Sequence, residues 1–237
     1  MSQVGKYQWL LFDLDNTILD FTESSRMAFS HVYETLDTDK DIADVFKSYK
    51  IINHHVWRER EAGLRSHTEL KTKRWKLLFE ELELINDPLQ TNNIYFEQIK
   101  INPVFVEGAE QLLESLKGKY RMMIITNGLS EVQWSRIRLT ELKQYFEHII
   151  ISDEVGCAKP DKQFFDICYD YIDMLDKEKV LVIGDTPMSD IKGGNDYGFH
   201  TCWYNHNGIE DEGQKATYKI AKMSELNSVL YDDMCSL

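Results

Sequence analysis

The chain has 237 residues, room for one large domain or for a core carrying a smaller insertion. Hydrophobic residues make up 43% of it, which excludes a disordered chain, and the formal net charge is −13. That field repels nucleic-acid backbones and anionic membranes, so neither is an expected partner; a small phosphate ester would need local compensation from a metal ion and a lysine.

Cys157, Cys168, Cys202 and Cys235 form no C-x-x-C pair and read as buried thiols rather than a zinc site or a disulfide framework. No stretch approaches the ~18 apolar residues of a membrane helix, and Met1–Lys6 has no apolar leader, so the expected location is the cytoplasm.

Along the chain, Tyr7–Phe12 is a short apolar run ending at Asp13, the pattern of a strand buried on both faces. From about Phe21 to Lys100 the periodicity is helical instead. Phe21, Ala28, Val32 and Leu36 share a face, then Ile42, Val45, Phe46, Tyr49 and Val56, then Trp75, Phe79 and Leu82, then Ile94, Tyr95 and Ile99. This predicts about four amphipathic helices inserted after the first strand, with connections near Leu19–Asp20 and Asn102–Val106 acting as a hinge that Pro103 stiffens. Strand-like runs then return at Met122–Ile125, His148–Ile151, Val180–Ile183 and Thr201–Tyr204, separated by helical patterns, and Ser224–Leu230 reads as a closing helix. The expected fold is α/β, a doubly wound, mainly parallel sheet formed by residues 1–19 and 103–237, with a helical cap over 20–102.

In an open parallel sheet ligands bind beyond the carboxyl ends of the strands. Those ends read Asp13-Leu14-Asp15-Asn16-Thr17, Thr126-Asn127-Gly128, Ala158-Lys159-Pro160 and Gly184-Asp185, with Asp190 close behind. In an extended segment Asp13 and Asp15 would point to one side, roughly 6–7 Å apart at ~3.3 Å per residue. A phosphoryl group fits between them, one carboxylate attacking phosphorus and the other serving the leaving oxygen. Attack on a phosphate dianion needs a hard cation, for which Asp13 and Asp185 would supply oxygens to Mg²⁺. Lys159 adds a point charge, Thr126 a hydroxyl, and the backbone N–H groups of Asn127 and Gly128 a cradle for a phosphoryl oxygen. Each piece alone has a plainer reading: a strand-end Asp caps a turn, Thr-Asn-Gly is a common turn, and a lysine before proline is a solvated loop charge. Their order and shared edge argue for chemistry.

Together these segments resemble the four motifs of the haloacid dehalogenase superfamily of aspartyl-phosphate phosphatases over nearly the full chain. The resemblance implies Asp13 as nucleophile, Asp15 as acid and base, and Thr126 and Lys159 as catalytic partners. It also implies Mg²⁺ held by Asp13, Asp185 and the Asp15 backbone carbonyl, with Asp190 holding Lys159 or a metal-bound water. The segments Ile124–Gly128, Ser152–Pro160 and Ser189–Gly194, with Thr201-Cys202-Trp203, are similar to the pyrimidine 5′-nucleotidase branch. That branch acts on nucleoside monophosphates such as UMP, dUMP and dTMP. One departure is Glu107-Gly108 where many relatives carry Pro-Gly. Other expectations within the superfamily are a sugar-phosphate phosphatase or phosphomutase, or a dehalogenase, against which Asp15 and Asp185 argue. In the cap, Asn53, His54, Trp57, Arg58, Arg65 and Arg74 are candidates for base or sugar contacts, with Trp57 either stacking on a base or packing inward. The adjacent His54 and His55 would diverge on a helix and make a poor metal pair. A monomer or homodimer acting on a small-molecule phosphate ester is expected.

Overall fold

In a computed structural model, residues 6–61, 67–173, 176–210 and 213–232 are described. The chain divides into two compact units. One comprises the chain up to Asp20, Phe105–Ser130 and the chain from Thr140 onward; the other comprises Phe21–Val104 and Glu131–Leu139.

The first unit is built on a six-stranded, wholly parallel sheet. The first strand is β1 (Trp9–Phe12), and after the helical segment come helix α5 (Ala109–Leu116), β2 (Arg121–Thr126) and β3 (His148–Ile151). Short helix α7 (Ser152–Val155) and α8 (Lys162–Asp170) lead to β4 (Val180–Gly184), and a π-helical turn (Pro187–Lys192) with α9 (Gly193–Tyr197) to β5 (His200–Tyr204). Strand β6 (Tyr218–Ile220) and helix α10 (Glu225–Asp232) close the order. The strands lie β3-β2-β1-β4-β5-β6. The chain fills one side of β1 before crossing to the other, so the switch in strand order falls at β1, where a crevice opens beyond the carboxyl ends.

Register fixes what meets there. Phe12 pairs with Ile124 of β2 and with Ile183 of β4, so Asp13, Thr126 and Asp185 emerge side by side on one edge. The sheet can place charges there because its body is apolar on both faces. Trp9, Leu11, Met123, Ile125, Val180 and Val182 pack with Phe164, Phe165, Cys168 and Phe199 on one side in a buried cluster. Burial at about 25 cal/mol per Å² of apolar surface makes that packing the main support of the sheet. The sequence pattern anticipates five of the six strands; β6 has only three residues and no apolar run, and is defined by pairing Cys202–Tyr204 with Tyr218–Ile220.

The second unit holds four helices, α1 (Phe21–Tyr33), α2 (Ile42–Glu61), α3 (His67–Leu82) and α4 (Pro88–Ile101), joined by α6 (Ser130–Leu139) from Glu131 onward. The interval 103–237 expected for the sheet domain includes α6; its contacts group it with the helices. The centre of this unit is aromatic: Tyr49 stacks on Trp75 with ring centroids 4.8 Å apart, and Phe29 and Tyr95 pack on the same pair. Helix α4 starts where Asp87 accepts a hydrogen bond from the Gln90 N–H and Pro88 occupies the first turn, a strong start signal.

Candidate active site

The loop after β1 is a tight turn rather than an extended segment. The Leu14 carbonyl accepts from the N–H groups of both Ile18 and Leu19, the Leu19 carbonyl accepts from Asn16, and Asn16 takes a left-handed φ of 56°. Asparagine tolerates that conformation better than most residues, so its place after Asp15 has a local reason. The turn carries Asp15 away from the strand line on which the two-residue spacing was drawn. Leu19 then bridges antiparallel to Phe105, and the Val106 N–H donates to Ile18, tying together the two chain crossings foreseen as a hinge.

Asp13 and Lys159 form the centre of the site. The Lys159 side chain is 1% exposed, and its ammonium donates to Asp13 Oδ1 at 2.6 Å, to Asp190 Oδ1 at 2.6 Å and to the Ile125 carbonyl at 2.8 Å. An ammonium has three protons, so all are taken. Lys159 therefore orients Asp13 and neutralises charge from below; a phosphoryl oxygen would have to share a proton already directed at a carboxylate or carbonyl. Asn127 sets the lysine in place: its Nδ2 donates to the Lys159 carbonyl and its Oδ1 accepts from the Lys159 N–H, both at 2.9 Å. The Asn127 amide is thereby engaged, leaving backbone N–H groups as the means by which this turn would meet a ligand. The Gly128 N–H reaches Thr126 Oγ1 at 3.2 Å.

Asp190 is fully buried and uses both oxygens, Oδ1 for Lys159 and Oδ2 for the Thr186 N–H at 3.0 Å. Gly184 makes room for it, since a Cβ there would lie 2.3 Å from Asp190 Cγ. Asp185 is held from the β5 side, where the Trp203 indole N–H donates to its backbone carbonyl at 3.0 Å. Sequence reasoning did not single out Asn127 as a clasp for Lys159, or Trp203 as a support for Asp185. The signals for Trp203 were its place near the end of an apolar run and its part in the Thr201-Cys202-Trp203 resemblance.

Carboxylate oxygens of Asp13, Asp185 and Asp190 lie within 4.8 Å of one another. Burial, then the charges of Asp190 and Asp15, raises Asp13 to about 7 against the opposing pull of Lys159. Burial, then Asp13 and Asp190, raises Asp185 well above the usual carboxylate range. Burial alone would lower Lys159, but Asp13 and Asp190 outweigh it and keep the ammonium charged. Three acids facing one base leave an unbalanced negative charge, and hard oxygen donors so arranged suit a small divalent cation. Asp13 and Asp185 each retain an oxygen without a hydrogen bond among the described residues, whereas both Asp190 oxygens are occupied. The donor set thus fits a cation on Asp13 and Asp185, with Asp190 as a support for Lys159.

A family model described as haloacid dehalogenase-like hydrolase matches residues 10–204, spanning every residue of this edge. The chain is a haloacid dehalogenase-like hydrolase. It is 33% identical to a pyrimidine 5′-nucleotidase, YjjG, of Escherichia coli, over 95% of this chain and 98% of that one. It is 32% identical to a pyrimidine 5′-nucleotidase, PynA, of Streptococcus pneumoniae, over 93% of each. Among solved structures, the HAD-hydrolase YfnB of Bacillus subtilis in a magnesium-bound crystal form superposes with a TM-score of 0.88 at 32% identity, covering 95% of this chain and 99% of that one. This hydrolase thus has the Rossmann-like core with inserted helices that the strand-end motifs implied, and named relatives that are nucleotidases.

Of the expected site residues, the sheet edge of the hydrolase brings together Asp13, Thr126, Asn127, Gly128, Lys159, Asp185 and Asp190, with Asp15 on the adjoining turn. Trp57 lies on α2 in the helical unit and is half-buried. Arg65 and Cys235 lie outside the described residues. Among the described residues no helix is long and apolar enough to cross a membrane.

Proposed function

We propose that this hydrolase is a Mg²⁺-dependent phosphomonoesterase that works through an aspartyl-phosphate on Asp13, with pyrimidine nucleoside monophosphates as its substrates. The observation that carries the reading is the buried ammonium of Lys159, which locks Asp13 Oδ1 at the switch point of the sheet and leaves the other carboxylate oxygen available. Nucleotidase relatives at 32–33% identity over more than nine-tenths of the chain support the substrate class. Buried, unpaired thiols at Cys168 and Cys202 agree with a cytoplasmic location.

In this reading the free oxygen of Asp13 attacks phosphorus in line with the ester bond. That P–O bond breaks, and Asp15 delivers its proton to the departing nucleoside oxygen. Asp15, now ionised, takes a proton from a water that attacks the aspartyl-phosphate. Inorganic phosphate leaves, and Asp13 and the protonated Asp15 are restored. Bound Mg²⁺ would supply positive charge against the phosphoryl oxygens and hold Asp13 and Asp185 ionised. Lys159 keeps Asp13 aimed throughout, Asp190 keeps Lys159 aimed, and Thr126 with the Asn127–Gly128 N–H groups receives a phosphoryl oxygen. A pocket for halide displacement has no use for an acid at Asp15, and the likeness of this chain to dehalogenase structures at 12–20% identity is one of fold.

The test is a panel of UMP, dUMP, dTMP, purine monophosphates and sugar phosphates, with Mg²⁺ and with excess chelator. The pyrimidine monophosphates are expected to give the highest kcat/KM, and chelator to abolish turnover. A sugar phosphate winning tenfold, about 1.4 kcal/mol of transition-state preference, overturns the substrate class. Unchanged turnover in chelator overturns the metal.

A further inference from the structure

Within the sheet unit, Asp185 depends on a residue of the neighbouring strand. Trp203 of β5 stands in parallel register opposite Gly184 of β4 on one side and Lys219 of β6 on the other. It is 2% exposed, its indole N–H donates to the Asp185 backbone carbonyl at 3.0 Å, and the Lys219 ammonium lies 4.4 Å from its ring centroid. A buried indole N–H needs an acceptor. The acceptor it takes is one residue past the end of β4, where the strand has stopped at Gly184 and the loop has begun.

The consequence falls on the Asp185 carboxylate. Its Oδ1 accepts from Thr186 Oγ1 at 3.2 Å, but that bond joins chain neighbours and travels with the loop, so it cannot fix the carboxylate against the sheet. The indole bond can, because it crosses from one strand to the first residue beyond the next. A metal ligand on an untethered loop has to be ordered when the cation arrives, and the entropy lost then weakens binding; a ligand held beforehand avoids that loss. Packing beside β4 needs only a large apolar ring. The N–H is the part of Trp203 that reaches the metal ligand.

We infer that Trp203 is a positioning residue for the divalent cation: through its indole N–H it holds the backbone of Asp185, and so sets how tightly Asp13 and Asp185 bind Mg²⁺. This rests on the metal reading above and adds to it a residue of β5 that acts through Asp185. The test measures Mg²⁺ dissociation constants by isothermal titration calorimetry on the full chain stripped of metal, with circular dichroism as the check of fold. It compares the wild type, Trp203→Phe, Lys219→Met and a form in which Trp203 is replaced by benzothienylalanine, which keeps the bicyclic shape and puts sulfur in place of the N–H. Both forms without the N–H are expected to bind Mg²⁺ about tenfold more weakly. Lys219→Met, which uncovers the ring and leaves the N–H, stays within twofold. The benzothienylalanine form decides if Trp203→Phe fails to fold. A rise of less than threefold in that form overturns the assignment whatever Trp203→Phe does, since any loss in the latter is then one of packing. An equal weakening in Lys219→Met overturns it too. A wild type that binds no Mg²⁺ overturns the metal reading and this assignment with it.

Discussion

At the scale of single residues, the site is a problem in charge. Among the described residues Asp13, Asp185 and Asp190 gather at Lys159, and two of the acids, Asp13 and Asp185, are raised from the ordinary carboxylate range by burial first and by neighbouring carboxylates next. An acid raised on folding binds more protons in the folded state than in the unfolded one. The stability contributed by Asp13 is therefore fully present below about 4, the unfolded value, and is lost as pH rises through about 7; that of Asp185 is lost in the same direction. A cation on these oxygens reverses the sign. Thermal midpoints measured with and without Mg²⁺ should differ more at pH 8 than at pH 5; an equal increment at both would remove the carboxylates as its source. Asp13→Asn should lower kcat by ~10³-fold or more while circular dichroism stays that of the wild type. Activity near wild type would move the nucleophile elsewhere.

At the scale of elements, the strand register does the positioning. Phe12 opposite Ile124 and Ile183 brings three loops to one edge, and side chains beyond the strands fix the groups there: Asn127 clasps Lys159, Asp190 accepts from the Thr186 N–H, and Trp203 supports Asp185. Gly184 is the point where an added atom would do most harm. Gly184→Ala places a methyl against the Asp190 carboxylate, and overpacking of this kind costs ~1–3 kcal/mol. We expect a lowered midpoint together with a large loss of kcat, because the displaced group is the one that holds Lys159. A variant as active and as stable as wild type would show that Asp190 is free to shift. In the helical unit, Trp75 stacks on Tyr49 and is completely buried, so Trp75→Ala should destabilise by ~3–5 kcal/mol in urea denaturation. A loss below ~1 kcal/mol would contradict its place at the aromatic centre.

At the scale of the whole molecule, two units divide the labour differently, and their sequences are legible to different degrees. The sheet strands declare themselves because a strand buried on both faces must be a short run of apolar residues, as in Trp9–Phe12 and Val180–Gly184. Their polar ends stand out because a charge directly after such a run has to face the open edge. Strand β6 carries no such signature, since Tyr218–Ile220 is an edge strand of three residues and its existence depends on β5. Helix α6 has no clear apolar stripe to announce it, and its grouping with the helical unit is a matter of contact and not of pattern. The hydrolase family follows from motifs local enough to read directly. The helices of the other unit carry apolar faces that resemble those of any bundle and declare no motif.

Asp13, Thr126 and Asp185 stand out as candidates in the sequence alone, because each sits where a hydrophobic strand stops; Asp15 and Lys159 join them by motif, Lys159 lying past the short helix that follows β3. The tertiary structure decided how they are held. Lys159 reaches Asp13 across 146 residues and takes the Ile125 carbonyl as its third acceptor, and no spacing rule predicts a bond between groups that only folding makes neighbours. The same holds for Arg74 and Asn53, 21 residues apart on two helices, where a buried guanidinium donates to an amide oxygen.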